Sequence, residues 1–273
     1  MTTSEWWFWR DGPRAGPDNM AIDQALLDMA GDTGRAVLRL YAWDPPCLSF
    51  GAHEPATRRY DQAGIAALAL PCVRRPTGGR AVYHHGELTY SLASPLDRFG
   101  SLRSAYQEIH SMLAESLRAV GIAATLAPAG GPVPGVAAGP CFDAAVGGEV
   151  LVTGRKLVGS AQVRSRTALL QHGSLLLHDD QSLVRELAAG AGSTPDSPPT
   201  PTPATLDSLR AEGIPYGPVD HRENSWDLIA AAIAQGAPRA WPGRWQPLDP
   251  APVLQEATRH LSRFSDPAWT WSR

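Results

Sequence analysis

The sequence predicts an α+β fold: a mixed β-sheet flanked by helices, with a small helical C-terminal tail. Three observations carry this. Short strand-like runs crowd residues 36–93 and return over 149–177, punctuated by glycine. One strongly periodic helix at 102–120 separates the two strand groups. Past a proline-rich stretch, Ser193 to Pro203, the remaining patterns are helical.

In chain order, Asp18 can cap a helix running to about Ala30, with Met20, Ala21, Ala25, Leu26 and Met29 near one face. Strands follow at 36–42 and 47–50, then a helix over 59–68. Short strands near 71–75, 80–84 and 88–93 are separated by a Pro-Thr-Gly-Gly turn and by Gly86. In 102–120, Leu102, Ala105, Ile109, Met112, Leu113, Leu117 and Val120 recur at helical spacing, and Gly121 ends the helix. Residues 128–140 read as a Gly/Pro/Ala loop. Strands are expected near 149–153, 156–163 and 168–177, and helices near 205–212, 225–235 and 250–263. The expected organisation is a catalytic domain at 1–190, a Pro-rich linker at 191–204 and a C-terminal region at 205–273.

Composition removes several classes of function. The 273 residues, 43% apolar and 19% charged, suit a globular protein with a sizeable core. A net charge of −3 makes no case for nucleic acid. No apolar run reaches the ~18 residues of a membrane span. The aromatic start (Trp6, Trp7, Phe8, Trp9) lacks the basic-then-apolar layout of a signal peptide, so a cytoplasmic location is expected. Cys47, Cys72 and Cys141 cannot all pair, and they fit no zinc spacing. Thiol chemistry is expected rather than a disulfide framework, with no metal and no cofactor.

One count stands out. Of 24 basic residues, 23 are arginine, and the single lysine is Lys156. Lysine is a compact ammonium whose pKa responds to burial, whereas arginine is permanently charged and planar. A lone lysine in such a background marks a position where arginine cannot substitute, or it is chance; its surroundings decide.

Three segments can carry chemistry. Arg74 to His84 (Arg-Arg-Pro-Thr-Gly-Gly-Arg-Ala-Val-Tyr-His) combines paired glycines, which let backbone approach a ligand, with arginines that suit a carboxylate or phosphate; taken alone it is also an ordinary hairpin. Gly154 to Gln162 carries Lys156 beside the small residues Gly159, Ser160 and Ala161, and Gln171-His172-Gly173-Ser174 follows. Pro140-Cys141-Phe142 places a cysteine fifteen residues before Lys156. A cation beside a loop cysteine lowers its pKa and raises the thiolate fraction.

Together these segments resemble the lipoate-protein ligase and octanoyltransferase family, related to the catalytic domain of biotin protein ligases. The likeness runs from about Asn19 to Leu177. Asn19 to Leu27 looks like the family's first helix, Leu38 to Trp43 and Leu48 to Gly51 its next strands, Arg74 to Ser91 its signature loop, and Gly154 to Gln162 its lysine strand. Pro140-Cys141-Phe142-Asp143 stands where the ATP-dependent ligases usually carry Gly-Arg-Asn-Asp. That makes the chain similar to the cysteine-dependent, LipM-type octanoyltransferase branch. His85 departs from the family, where an aspartate is common.

The resemblance implies the biotin/lipoate protein ligase-like fold and a two-step acyl transfer. Cys141 would carry the acyl group as a thioester, and Lys156 would hold its thiolate and polarise the acyl carbonyl. Arg75, Thr77, Gly78, Gly79, His84, Gly159, Ser160, Ala161 and His172 are the expected substrate-binding residues. The implied partners are octanoyl-acyl carrier protein and a lipoyl-domain acceptor, such as glycine cleavage H protein or a 2-oxoacid dehydrogenase E2, met by a monomer. Three alternatives stay open: an ATP-dependent lipoate-protein ligase with Arg75 near the phosphate region, an amidotransferase between lipoyl domains, and a non-catalytic acyl- or biotin-binding module.

Overall fold

The computed structural model describes residues 4–128, 142, 147–188, 202–214, 216 and 225–273. Cys141 and residues 191–201 of the expected linker lie outside them.

A six-stranded mixed sheet forms the frame. Its strands are β1 (Glu5–Arg14), β2 (Ala36–Trp43), β6 (Glu87–Pro95), β10 (Val158–Arg164), β11 (Ala168–Leu176) and β12 (Arg244–Pro247), in the order β10-β11-β6-β2-β1-β12. The first three pairings from β10 to β2 are antiparallel, and β2-β1 and β1-β12 are parallel. Two small sheets flank it. One pairs β3 (Cys47–Phe50) with β4 (Cys72–Arg74) and β5 (Val82–His84), and the other joins β7 (Ala124–Leu126), β8 (Val150–Val152) and β9 (Arg155–Lys156).

Helices cover both faces of the large sheet, and side-chain alternation explains how. Along β2, Leu38 and Leu40 point to one side, where they meet Ile109, Met112, Leu113 and Leu117 of α4 (Leu102–Ala119) and Ile229 and Ile233 of α7 (Ser225–Ala240). Val37 and Tyr41 point to the other, toward Met20, Ile22, Leu26 and Leu27 of α1 (Gly16–Thr33) and Val253 and Phe264 of α8 (Ala251–Phe264). With both faces covered, β2 and β11 bury nearly every residue. The short helices are α2 (Ala56–Arg59), α3 (Gln62–Ala67), α5 (Ser182–Glu186), α6 (Leu206–Ala211) and α9 (Pro267–Thr270).

Several local expectations change. The cap of α1 is not Asp18: the N-cap is Ala15, Pro17 opens the first turn, and Asp18 sits within it, where a carboxylate suits the helix dipole. The helix expected over 59–68 is two, α2 and α3, broken at Tyr60 and Asp61, with Asp61 capping α3. β4 and β5 do not form a hairpin with each other; both pair with β3, so the Gly-Gly segment crosses over the end of that strand. The aromatic N-terminus is itself a strand, with Trp6 and Phe8 on one face and Trp7 and Trp9 on the other. The C-terminal region is helical over α6 to α9 and also adds β12 to the main sheet, where Trp245 stacks on Trp6.

Candidate active site

The site lies on the four adjacent strands β10, β11, β6 and β2 of the large sheet, under the segment between β4 and β5. That segment is held by backbone contacts that only glycine permits. A Cβ on Gly51 would fall on the carbonyl of Gly79, and Gly79 has φ +89°. Ala52 N donates to the Thr77 carbonyl at 2.8 Å and Arg75 N to the Phe50 carbonyl at 2.8 Å. A Cβ on Gly79 would come within 3.6 Å of Ala161 Cβ, so the segment roofs the small-residue stretch of β10.

Beneath that roof is a cleft of about 330 Å³, open solvent at its mouth included. It unites Arg75, His84, Gly159, Ser160, Ala161 and His172 of the expected set. Thr77 stands behind its wall, its hydroxyl 2.6 Å from His172 Nε2, whereas Gly78 and Gly79 shape the roof and not the lining. Lys156 lies just outside the cleft. Sequence reasoning missed Tyr41 and Trp43, which also line it, together with Gly173 and Ser174 of the segment already singled out. Tyr41 and Trp43 sit at the end of a strand that read as plain core. A Cβ on Gly173 would meet the Gly159 carbonyl at 2.7 Å and Tyr90 Cε1 at 2.8 Å, which is why β10 and β11 pack so closely here.

Each of the two cleft histidines is fixed by an acid. His172 Nδ1 faces Asp23 Oδ2 at 2.8 Å, and Asp23 in turn accepts from the Tyr41 hydroxyl at 2.9 Å and from fully buried Arg39 at 2.9 Å. Burial alone would push the Asp23 carboxyl up; the bond from His172 and the Arg39 charge outweigh it and hold it below the usual carboxylate range. Arg39 also grips Asp11 at 2.8 Å. His84 Nδ1 meets Glu87 Oε1 at 2.6 Å, and its Nε2 meets Ser49 Oγ at 2.6 Å. Burial, opposed by Glu87, lowers the His84 pKa.

Ser49, His84 and Glu87 therefore stand in the order of a hydrolase triad. Ser49 is nevertheless fully buried and accepts a 2.5 Å bond from Arg75 Nη1, which ties up the oxygen that would attack. The trio works as a brace. It orients Arg75, whose other nitrogen donates to the Gly78 and Arg80 carbonyls and so shapes the roof.

Lys156 is buried at 4% exposure, with Nζ 2.7 Å from Glu149 Oε1, and the Tyr106 hydroxyl reaches the same oxygen at 3.3 Å. The β8-β9 turn makes this pair by folding Lys156 back opposite Leu151. The Lys156 ammonium also lies 5.2 Å from the centroid of Phe142, the chain neighbour of Cys141. Nearby, a directed hydrogen-bond chain runs under Ser160. A carbonyl only accepts, so His110 Nδ1 carries the proton toward Gly148 O at 2.8 Å. Its Nε2 is left to accept from Ser160 Oγ at 2.8 Å, with Tyr90 and Gln171 next in line. Burial, assisted by the Lys156 charge, takes the His110 pKa down to about 4, so the ring is neutral near pH 7.

The other thiols are held inert. Burial raises Cys47 far above the ordinary thiol range and Cys72 to about 12.

The family model for the lipoyl protein ligase A/B catalytic domain matches residues 16–222. The chain is similar to an octanoyltransferase LipM from Symbiobacterium thermophilum, 35% identical over 87% of this chain and 86% of that one. An octanoyltransferase LipM from Exiguobacterium sp. is 33% identical over the full length of both. Among solved structures, a T. acidophilum protein with bound lipoic acid superposes at TM-score 0.75 and 18% identity, covering 99% of this chain and all of the other, which supports the fold.

Proposed function

The chain belongs to the lipoyl protein ligase A/B family, and we propose that within it the protein is a cysteine-dependent octanoyltransferase, moving an octanoyl group from acyl carrier protein to a lysine of a lipoyl-domain protein. The observation that carries this reading is the chain's only lysine. It is buried, held by Glu149, and set against the residue that follows Cys141, whose ring rests on Gly159 of the cleft lining. The relatives named octanoyltransferase at 33–35% identity support the same assignment.

In the first step the Cys141 thiolate attacks the carbonyl carbon of the octanoyl thioester. A carbon–sulfur bond to Cys141 forms, the carrier's carbon–sulfur bond breaks, and the carrier thiol leaves with the proton that Cys141 gave up. In the second step the acceptor lysine, as free amine, attacks the acyl-enzyme. The amide bond forms, the Cys141–acyl bond breaks, and the amine's proton returns to the cysteine. Splitting the transfer lets each protein partner be met alone. No ATP enters, because a thioester is already activated. Lys156 supplies positive charge to the thiolate and to the oxygen of the tetrahedral intermediate.

The cleft takes the eight-carbon chain. Gly159, Ser160, Ala161 and Gly173 leave the room, and His84 and His172, pinned by Glu87 and Asp23, fix the walls. Each buried methylene contributes about 0.8 kcal/mol, so cleft depth reads chain length. The acceptor is a lipoyl domain of the H-protein or E2 kind, and the reaction is cytoplasmic.

The test is intact-mass analysis after mixing the chain with octanoyl-acyl carrier protein without ATP. An octanoyl adduct that disappears in Cys141→Ala and passes to a lipoyl domain is the expected result. An adduct retained by Cys141→Ala, or modification that needs free octanoate and ATP, overturns it.

A further inference from the structure

Arg74 ends β4, where the roof segment begins, and its side chain is fully buried. The guanidinium is committed to backbone. Nη1 donates to the Gly51 carbonyl at 2.6 Å and to the Glu54 carbonyl at 2.9 Å. Nε is shared between the Thr270 and Trp269 carbonyls of α9, at 3.0 Å and 3.2 Å. The contact is returned: Trp269 Nε1 donates to the Arg74 carbonyl at 3.2 Å. Just beyond α9, the Trp271 ring lies against Phe50 with centroids 5.0 Å apart, and the Phe50 carbonyl is the one that accepts from Arg75 N. A segment 195 positions away in the chain therefore grips the first residue of the roof.

We propose that Arg74 and Trp269 are positioning residues for the roof, through which α9 sets how closely the roof covers the cleft and so which acyl lengths the cleft accepts. This rests on the reading of the cleft as the acyl site. A guanidinium is a rigid planar fork, so its bonds fix the Gly51 and α9 carbonyls relative to each other in both distance and direction. Gly51 in turn meets Gly79 backbone against backbone, which leaves no slack between this grip and the roof. Gly79 stands over Ala161 of the cleft lining. Loosening any link lets the roof rise, and a higher roof makes room for more methylenes. Neither Arg74 nor Trp269 lines the cleft, so their effect on acyl length passes through the roof.

The experiment uses Trp269→Phe in the full chain, which keeps an aromatic ring and removes the Nε1 donor. Hydrogen exchange follows the Ala52 and Arg75 amides, bonded to Thr77 O and Phe50 O, with the amides of the β2-β6 pairing as reference. Exchange at Ala52 and Arg75 should rise about 5-fold, the factor that loss of one ordinary hydrogen bond corresponds to, while the reference stays unchanged. In parallel, intact mass gives the initial rate of acylation by octanoyl- and by decanoyl-acyl carrier protein, without ATP. The octanoyl-to-decanoyl rate ratio should fall by a similar factor. A smaller folded fraction would lower both rates alike and leave that ratio where it was. Arg74→Lys keeps the charge without the fork and should shift the ratio in the same direction; where it does not fold, Trp269→Phe decides alone. Unchanged exchange at the two amides, or an unchanged ratio, in Trp269→Phe overturns the proposal. The unaltered chain separates the two readings. If it takes up neither acyl group, or both at equal rates, the acyl-site reading falls and the proposal with it. If it prefers octanoyl and Trp269→Phe keeps that preference in full, the role of α9 falls alone.

Discussion

Acid should weaken this protein before its carboxylates begin to titrate, and His110 supplies much of the reason. The ring is buried, with both nitrogens committed: Nδ1 donates to Gly148 O and Nε2 accepts from Ser160. A second proton on Nε2 would face the Ser160 hydroxyl, with the Lys156 charge close by. In the folded chain His110 binds that proton only near pH 4, whereas in the unfolded chain it does so near its ordinary value of about 6.5. Between those values the unfolded state holds more protons. Stability is therefore complete above about pH 6.5 and declines as pH falls toward 4. The gap corresponds to about 3 kcal/mol for this one buried group. His84, whose pKa is also lowered chiefly by burial, adds to the decline with the same sign. The assay is urea unfolding at several pH values from about 7 to about 4.5, on the unaltered chain and on His110→Gln. The variant starts less stable at neutral pH but loses distinctly less on acidification, keeping the part that belongs to His84. Equal pH slopes for the two proteins would refute the reasoning.

Further outcomes follow from other contacts. Lys156→Met removes the charge facing buried Glu149 and should cost about 3–5 kcal/mol, while Lys156→Met combined with Glu149→Gln should recover part of that loss in chemical denaturation. Asp23, held below the usual carboxylate range, contributes stability that is present above its unfolded value of about 3.9 and is lost as pH falls through its lower folded value; Asp23→Asn should flatten the denaturation profile there. Cys47→Ala and Cys72→Ala should each still form the octanoyl adduct by mass, since neither thiol ionises near pH 7. Gly173→Ala presses on the Gly159 backbone and should cost about 1–3 kcal/mol, and it should lengthen the time needed to acylate the enzyme.

How much of this was legible depended on whether the signal was local. The strand at 47–50 and the helix at 102–120 are set by short-range pattern, and their expected limits match the structure closely. β1 was hidden because Trp6, Trp7, Phe8 and Trp9 fill both faces of a covered sheet, which erases the polar–apolar alternation a strand usually shows. β12 is four residues long, contains Pro247 and exists only because β1 lies beside it. At the site, glycines and small residues marked where backbone and ligand approach. The acid behind His172 was not marked, because Asp23 and His172 are 149 positions apart. One clue was available: Asp23 interrupts the apolar face of α1 between Met20 and Leu26, and a charge there needs a buried partner, which Arg39 and His172 provide. The Glu149–Lys156 pair is set by the short β8-β9 turn, a geometry that spacing alone does not specify.

The parallel pairing of β1 with β12 also shapes how the protein can be made. Glu5 lies opposite Arg244 and Phe8 opposite Pro247, so β1 leaves the ribosome long before its parallel partner. Until residue 247 has emerged, the outer edge of β1 offers unpaired backbone groups beside Trp6, which later stacks on both Trp241 and Trp245. Such far-separated contacts form slowly, and an open aromatic edge is prone to pair with other chains in the meantime. Pairing of β12 is therefore the step that covers this edge of β1.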